Sequence, residues 1–305
     1  MVPDQAHPES TGSQLARNRS HGALKFGISL LRVHPRLWRT VAQEAEELGF
    51  ESVWMSDHLV LPVRLDDSEH AHKKILIEPS TPVFDVWVYL AALAASTTTI
   101  RLGTYVYQLA LRHPLVAARA ITTLDVVSDG RVELGIGAGY LSQEWLAAGL
   151  DFRQRGRLLD ESLEVCRRLW TEPVVEHDGT QYRIPPVSFE PKPVQKPHPP
   201  IHVGGESAAA MRRAVAQGDG WIGMHHSPDT AAPVLGRLAD IQAESRADAQ
   251  RDRPLEITFA THRGTDVDID AWRRLGVDRL IVAPWTRSAE AIDGMRAFAG
   301  THLRR

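Results

Sequence analysis

The chain of 305 residues is short of several things, and each shortage removes a class of protein. It has one cysteine, Cys166, so no internal disulfide can form. That residue falls in an amphipathic helical pattern and reads as inert core. Positive charge is not in excess: 35 Lys and Arg against 38 Asp and Glu leave a formal net charge of −3. Such a balance offers no basic field to hold nucleic acid. Long apolar runs are missing as well, and the strongest stretch, Val83–Ala95, is too short and interrupted to span a bilayer. The first 23 residues carry Pro, Ser, His, Gln and charge without an apolar core. They read as a disordered tail rather than an export signal, which makes a cytoplasmic location the expectation.

What the chain does have is alternation. Short runs rich in Val, Ile, Leu, Phe and Trp occur at Lys25–Leu30, Ser52–Ser56, Ile100–Tyr107, Val132–Ile136, Ile201–Val203, Gly220–Met224, Leu255–Ala260 and Arg279–Ala283. Strands buried on both faces have this composition. Between them lie helical spacings, as in Leu37, Val41, Ala45 and Leu48, or Ala117, Ala120, Ile121 and Leu124. Gly49 closes the first of these helices, and Ser128-Asp129-Gly130 another. Eight β/α units can form an open doubly wound sheet or a closed barrel. Setting aside the tail and a Pro-rich stretch over 173–200 leaves about 250 residues, the size of one (β/α)8 barrel. The predicted fold is therefore α/β: a single barrel domain over 24–305, with an insertion after the fourth β/α unit. Within the insertion, alternation around Asp178-Gly179 predicts a hairpin, followed by seven prolines from Pro185 to Pro200 that hold the chain extended. A long excursion of this kind is expected to act as a lid over the barrel mouth.

In a barrel, chemistry gathers at the C-terminal ends of the strands. Four such ends carry candidate groups. The second strand leaves through Trp54-Met55-Ser56-Asp57-His58, where an Asp beside a His can orient the imidazole. The third ends in Gly103-Thr104-Tyr105-Val106-Tyr107, a possible wall for a flat ligand; Arg112 and His113 beyond it are read as pairing and capping groups. The fourth ends in Gly135-Ile136-Gly137-Ala138-Gly139-Tyr140, which fails the dinucleotide fingerprint at Tyr140. Its alternate glycines suit either close approach of a ligand or tight packing. The fifth runs through Gly204, Gly205 and Glu206 into a helix capped by Ser207, an arrangement that presents backbone N–H groups to a phosphate. Metal chemistry is not expected: His70 and His72 sit in a charged loop, and His225-His226 point opposite ways in extended chain. No Ser or Cys nucleophile motif appears.

Taken in order, several blocks resemble the bacterial luciferase-like superfamily, and in particular its branch that uses the deazaflavin coenzyme F420. They are Glu46–Trp54 through Asp57-His58, Arg112-His113-Pro114, Thr123-Leu124-Asp125 through Arg131, Gly135–Gly139, Glu190–Gln195, and Val203-Gly204-Gly205 through Trp221. The resemblance implies a (β/α)8 barrel with the cofactor ring across its mouth. It also implies a non-proline cis peptide at Tyr105-Val106, with the ring against it, and the phosphate end at Gly204 and Gly205; this joins the spacing reading of Gly137 and Gly139 beside a ligand and the capping reading of Ser207 near a phosphate. His58 matches the histidine that handles a proton, with Asp57 to orient it. Two departures stand out: Pro62 where sugar-phosphate dehydrogenases of the branch have tryptophan, and Tyr140 where they have glutamate. Their substrate is therefore not carried over, and Tyr140 is either a weaker proton donor or a pocket wall. The function implied is hydride transfer between F420 and a small organic substrate. Its rivals are an FMN-dependent monooxygenase using oxygen and a cofactor-binding barrel without turnover. A homodimer through outer helices, with Asp85–Ala95 contributing, is also implied.

Overall fold

All eight apolar runs become parallel strands of one closed barrel. The computed structural model describes residues 23–31, 33–63, 78–245, 254–264 and 267–303. Its strands are β1 (Lys25–Ser29), β2 (Ser52–Met55), β3 (Arg101–Thr104), β4 (Val132–Ile136), β5 (Val175–Asp178), β6 (Arg183–Val187), β7 (Ile201–Gly204), β8 (Gly220–His225), β9 (Glu256–Ala260) and β10 (Arg279–Val282). The barrel runs in the order β1-β10-β9-β8-β7-β4-β3-β2, with β5 and β6 apart as a two-stranded hairpin. Closure is made by β1 on β10, where Lys25 pairs with Arg279 and Ile28 with Val282.

Helices follow each barrel strand: α1 (Trp38–Leu48), α2 (Val86–Ala94), α3 (Pro114–Val127), α4 (Ser142–Ala147) and α5 (Arg155–Thr171), then α6 (Ala208–Gln217), α7 (Pro228–Ser245), α8 (Ile269–Arg274) and α9 (Ala291–His302). Their ends obey local chemistry. Gly49 takes the left-handed conformation, φ 87°, that terminates α1. Asp85 caps α2 by accepting from the N–H groups of Trp87 and Val88. His113 caps α3 ahead of Pro114, as expected of a capping group. The main core lies between strands and helices, and Cys166 is buried within it; burial pushes its thiol pKa up, in keeping with an inert side chain.

The barrel interior is filled, not hollow. Trp54 crosses it, and a Cβ on Gly27 or Gly103 would come within 2.5 and 2.4 Å of the indole. Toward the N-terminal end lies a layer of charge. Arg279, 1% exposed, binds Glu51 at 2.8 and 3.0 Å and also Glu256, and it stands 3.7 Å from Glu133. Glu133 in turn pairs with Arg101 and sits 2.5 Å from His202 Nε2. Burial would raise the Glu133 pKa, but the His202 bond and the two arginines hold it well below the usual carboxylate range. Glu133, His202 and Glu256 bring ligand-type atoms within 4.8 Å of one another. Arg279 already supplies the positive charge there, so the cluster reads as an internal ion-pair layer.

The predicted hairpin forms around Asp178-Gly179, but the insertion is not a lid. Its tip is tied to α5 by Glu161, which accepts from Tyr182 N at 2.8 Å, Gln181 N at 3.0 Å and Thr180 Oγ1 at 2.8 Å. Although burial pushes upward, these bonds hold the Glu161 carboxyl at about 2. The Pro-rich return then follows the outer helices downward. Lys192 donates to Leu169 and Glu172 carbonyls at the end of α5, and Gln195 binds Asp125 and the Val132 carbonyl. These anchors lie outside the barrel and at its N-terminal end. A stretch so held cannot cover the mouth.

Candidate active site

At the C-terminal end of the barrel the interior finishes in an apolar floor. Trp54, Ile222, Ala260 and Ile281 form it, and Tyr105 and Val106 pack on top. The Tyr105-Val106 peptide is cis. Tyr105 Oη donates to the Gly223 carbonyl at 3.1 Å, and burial, with nearby Glu206, keeps its phenol proton in place by raising its pKa. The glycines around Val106 serve packing. A Cβ on Gly137 or Gly204 would fall 2.6 or 2.7 Å from the Val106 methyls. One on Gly139, φ 73°, would fall 2.4 Å from Gln108 Oε1. Space cleared at these strand ends is thus filled by protein, and a ligand above them meets Val106 rather than bare backbone at 137 and 139.

Asp57 and His58 do not form the pair expected of neighbours. Asp57, 2% exposed, is turned away and held by Arg112 through two bonds of 2.5 and 2.7 Å, and it also accepts from Gln108 N at 2.9 Å. Adjacent side chains on extended backbone face opposite sides, which is why sequence adjacency misled here. The partner of His58 is Glu144, from α4: Oε2 lies 3.0 Å from His58 Nδ1, and Oε1 accepts from Leu59 N at 2.6 Å. Glu144 has no exposed surface. Burial alone would raise its pKa, but the bonds from His58, Gln108 and Leu59 bring it below the ordinary carboxylate value.

The same network fixes the imidazole tautomer. Gln108 Nε2 carries two hydrogens. One goes to the Asp57 carbonyl and the other to Glu144 Oε2, both at 3.0 Å. Neither remains for His58 Nδ1, 3.2 Å away. Nδ1 must therefore carry the proton and donate it to Glu144. The other ring nitrogen, Nε2, has no hydrogen-bond partner among the described residues. Tyr140 stands edge-on to this ring, centroids 5.9 Å apart, at 39% exposure. It borders the site as a wall.

On the far side of the mouth, Gly205 has φ 116° and Ser207 caps α6 by accepting from Ala210 N at 3.2 Å. The hydroxyl is thereby committed to the helix, while the N–H groups of Ser207, Ala208 and Ala209 have no acceptor among the described residues. Glu206 does not obstruct them: its Oε1 accepts from Met224 N at 2.7 Å and pairs with His226 at 3.0 Å. His225 stacks on His262 instead, so the two adjacent histidines do part ways. His70 and His72 lie outside the described residues.

Residues 16–300 match the luciferase-like monooxygenase family. The chain belongs to that family. Among its relatives, this luciferase-like chain is 35% identical over 253 residues to an F420-dependent glucose-6-phosphate dehydrogenase of Kineococcus radiotolerans, covering 79% of this chain and 69% of that one. Two solved structures share its fold. A monooxygenase from Streptomyces bottropensis superposes with a TM-score of 0.72 at 23% identity, covering 92% and 98% of the two chains. An F420-dependent secondary alcohol dehydrogenase does so with 0.74 at 16%, covering 92% and 99%. The same fold is thus found in a monooxygenase and in an F420-dependent dehydrogenase, so likeness of fold does not choose between the two chemistries. No helix among the described residues is long and apolar enough to cross a membrane.

Proposed function

We propose that this luciferase-like protein is an F420-dependent oxidoreductase that moves a hydride between the coenzyme and a small organic substrate, with His58 as the proton carrier. One observation carries the reading. His58 Nδ1 is pinned to a buried carboxylate, which leaves Nε2 without a protein partner to serve as the base and lets Glu144 balance the imidazolium once a proton arrives. The likeness to an F420-dependent dehydrogenase supports the choice of coenzyme.

The residues present suit the coenzyme. Bound F420 supplies a ring carbon that accepts or gives a hydride. Val106, with Tyr105, offers an apolar seat for a planar ring above the floor. The open N–H groups of Ser207, Ala208 and Ala209, at the start of a ten-residue helix, suit a phosphate, and glycine at 205 lets it come close. Arg112, Asp57 and Gln108 hold the strand end that carries His58. Tyr140 limits access to the imidazole from solvent.

Titration of the purified protein with F420 and with FMN, followed by absorbance and fluorescence, tests the coenzyme. F420 is expected to bind at least roughly tenfold more tightly, a difference of about 1.4 kcal/mol. Stoichiometric FMN on the purified protein, with no F420 binding, would make it a flavin monooxygenase instead. His58→Ala should then cut turnover by about 100- to 10,000-fold with little change in F420 affinity. His58→Asn is the control. It keeps a polar side chain that cannot cycle a proton, so recovery of the rate in Asn would reduce His58 to a structural role.

A further inference from the structure

Behind His58, two buried polar atoms stand without partners. Gln108 is 3% exposed and Trp145 has no exposed surface. Gln108 Nε2 gives its two hydrogens to the Asp57 carbonyl and to Glu144 Oε2, both at 3.0 Å. Gln108 Oε1 has no hydrogen-bond partner among the described residues, and neither has Trp145 Nε1. Buried polar groups left in this way are rare and costly. The two are complementary, since an amide oxygen accepts and an indole N–H donates. They also face one spot: a Cβ built on Gly139 would come within 2.8 Å of both. Two atoms that close to a common point can meet after a small rotation, or share one water at about 2.8–3.0 Å from each. The indole itself is fixed in the main core, edge-on to Phe152 with centroids 6.3 Å apart.

We propose that Trp145 is a positioning residue for the His58–Glu144 pair, its indole N–H engaging Gln108 Oε1 and so fixing which way the Gln108 amide faces. The two ends of that amide have nearly the same shape, and a half turn of the group exchanges them. Turned over, its oxygen would take the place of Nε2, 3.0 Å from Glu144 Oε2 and from the Asp57 carbonyl, and its NH2 would face the indole N–H. Oxygen would then meet oxygen on one side, and hydrogen meet hydrogen on the other. Glu144 would lose one of its three donors and take up a proton more readily, giving up the charge that balances an imidazolium. Gly139 belongs to the same device, because any side chain there pushes both atoms aside. Asp57 and Arg112 are turned to each other, so His58 is the one titratable side chain bonded to Glu144 among the described residues. The inference deepens the assignment of His58 and rests on it for its bearing on turnover.

The coenzyme-free protein suffices for the test, so its failure and a failure to bind F420 are separate results. A crystal structure of the wild type should show Trp145 Nε1 bonded to Gln108 Oε1, directly or through one ordered water. An indole N–H bonded elsewhere overturns the proposal. Denaturant melts at pH 7 and below about pH 4.5 then compare the wild type with Trp145→Phe, which keeps a ring but no N–H. Because its donors hold Glu144 below the ordinary carboxylate value, the stabilisation they bring is present above that range and is lost as pH falls through the lowered value. With the Gln108 amide released, the variant has less of it to lose. The excess of wild type over variant in the folded-to-unfolded ratio should therefore shrink by about tenfold on acidification, the weight of one charge-assisted hydrogen bond. A packing loss alone would leave that excess constant with pH, which overturns the proposal. Gln108→Met is the control: in that background Trp145→Phe should keep no pH-dependent part, and one that persists shows the indole acting by another route. Gly139→Ala, which displaces both atoms, should reproduce the pH dependence where Trp145→Phe fails to fold; if neither folds, the wild-type structure decides alone.

Discussion

Exchanging Glu144 for glutamine removes one negative charge from a position with no exposed surface while keeping the length of the side chain. Three donors converge on the carboxylate: His58 Nδ1 and Gln108 Nε2 at 3.0 Å on Oε2, and Leu59 N at 2.6 Å on Oε1. Glutamine has one acceptor oxygen, so its amide nitrogen must face one side of this set. If that oxygen stays on Leu59, the new N–H groups point at His58. The imidazole then accepts at Nδ1, moves its proton to Nε2, and loses its free base. Turnover should fall by roughly 100- to 10,000-fold, as when a catalytic histidine is held in the wrong tautomer. Stability should fall too, by about 2–4 kcal/mol for one or two charge-assisted bonds in a buried site. Because the carboxyl is held below its ordinary value, its stabilisation is complete above the usual carboxylate range and is lost as pH falls through the lowered value. The stability gap between wild type and Glu144→Gln should accordingly narrow on acidification below about pH 4.5. Denaturant melts at pH 7 and in that acid range, with stopped-flow reduction of F420, measure both effects. A folded Glu144→Gln protein with wild-type turnover would refute the tautomer argument.

Two further outcomes separate binding from scaffolding. Gly205→Asp should weaken F420 by at least ~10-fold, since it adds a carboxylate beside the open N–H groups and a side chain at φ 116°; Gly205→Ala, which brings only the strain, should weaken it less, and equal affinities by fluorescence titration would move the phosphate elsewhere. Asp57→Asn should act on the fold rather than the chemistry, costing about 1–3 kcal/mol by leaving the half-buried Arg112 without its counter-ion. Its folded fraction should keep the wild-type pH–rate profile, and a shifted profile would restore Asp57 as the orienting group.

The barrel was legible because each strand is a short apolar run with its own turn signals, and the hairpin because Asp178-Gly179 interrupts an alternating pattern. The direction of the insertion was not. Proline content says that a chain is extended, but the anchors at Glu161 and Asp125 are set by tertiary contact. His58 was found from its place at a strand end, whereas Glu144 stands 86 residues away and looks like any acid in a first helical turn. The one available signal was a carboxylate beside Leu141 and Trp145, both buried. The charged layer was hidden for a different reason. In a parallel barrel both faces of a strand are buried, so Glu133 and Arg279 carry no mark of which face they occupy.

That layer also bears on the order in which the chain becomes a barrel. Glu51, Glu133 and Glu256 all precede Arg279, and two of them belong to strands β4 and β9. Arg279 opens the last strand to be made. A nascent chain that has produced β1 through β9 holds three acids bound for the interior and lacks the cation that joins them. Arg101 and His202 can already pair with Glu133, and Lys25 with Glu256, but the cation shared by all three acids comes only with β10. The final strand thus brings both the missing edge and the missing charge, so a partial barrel gains little by closing early, and the N-terminal end is sealed from within by one late residue.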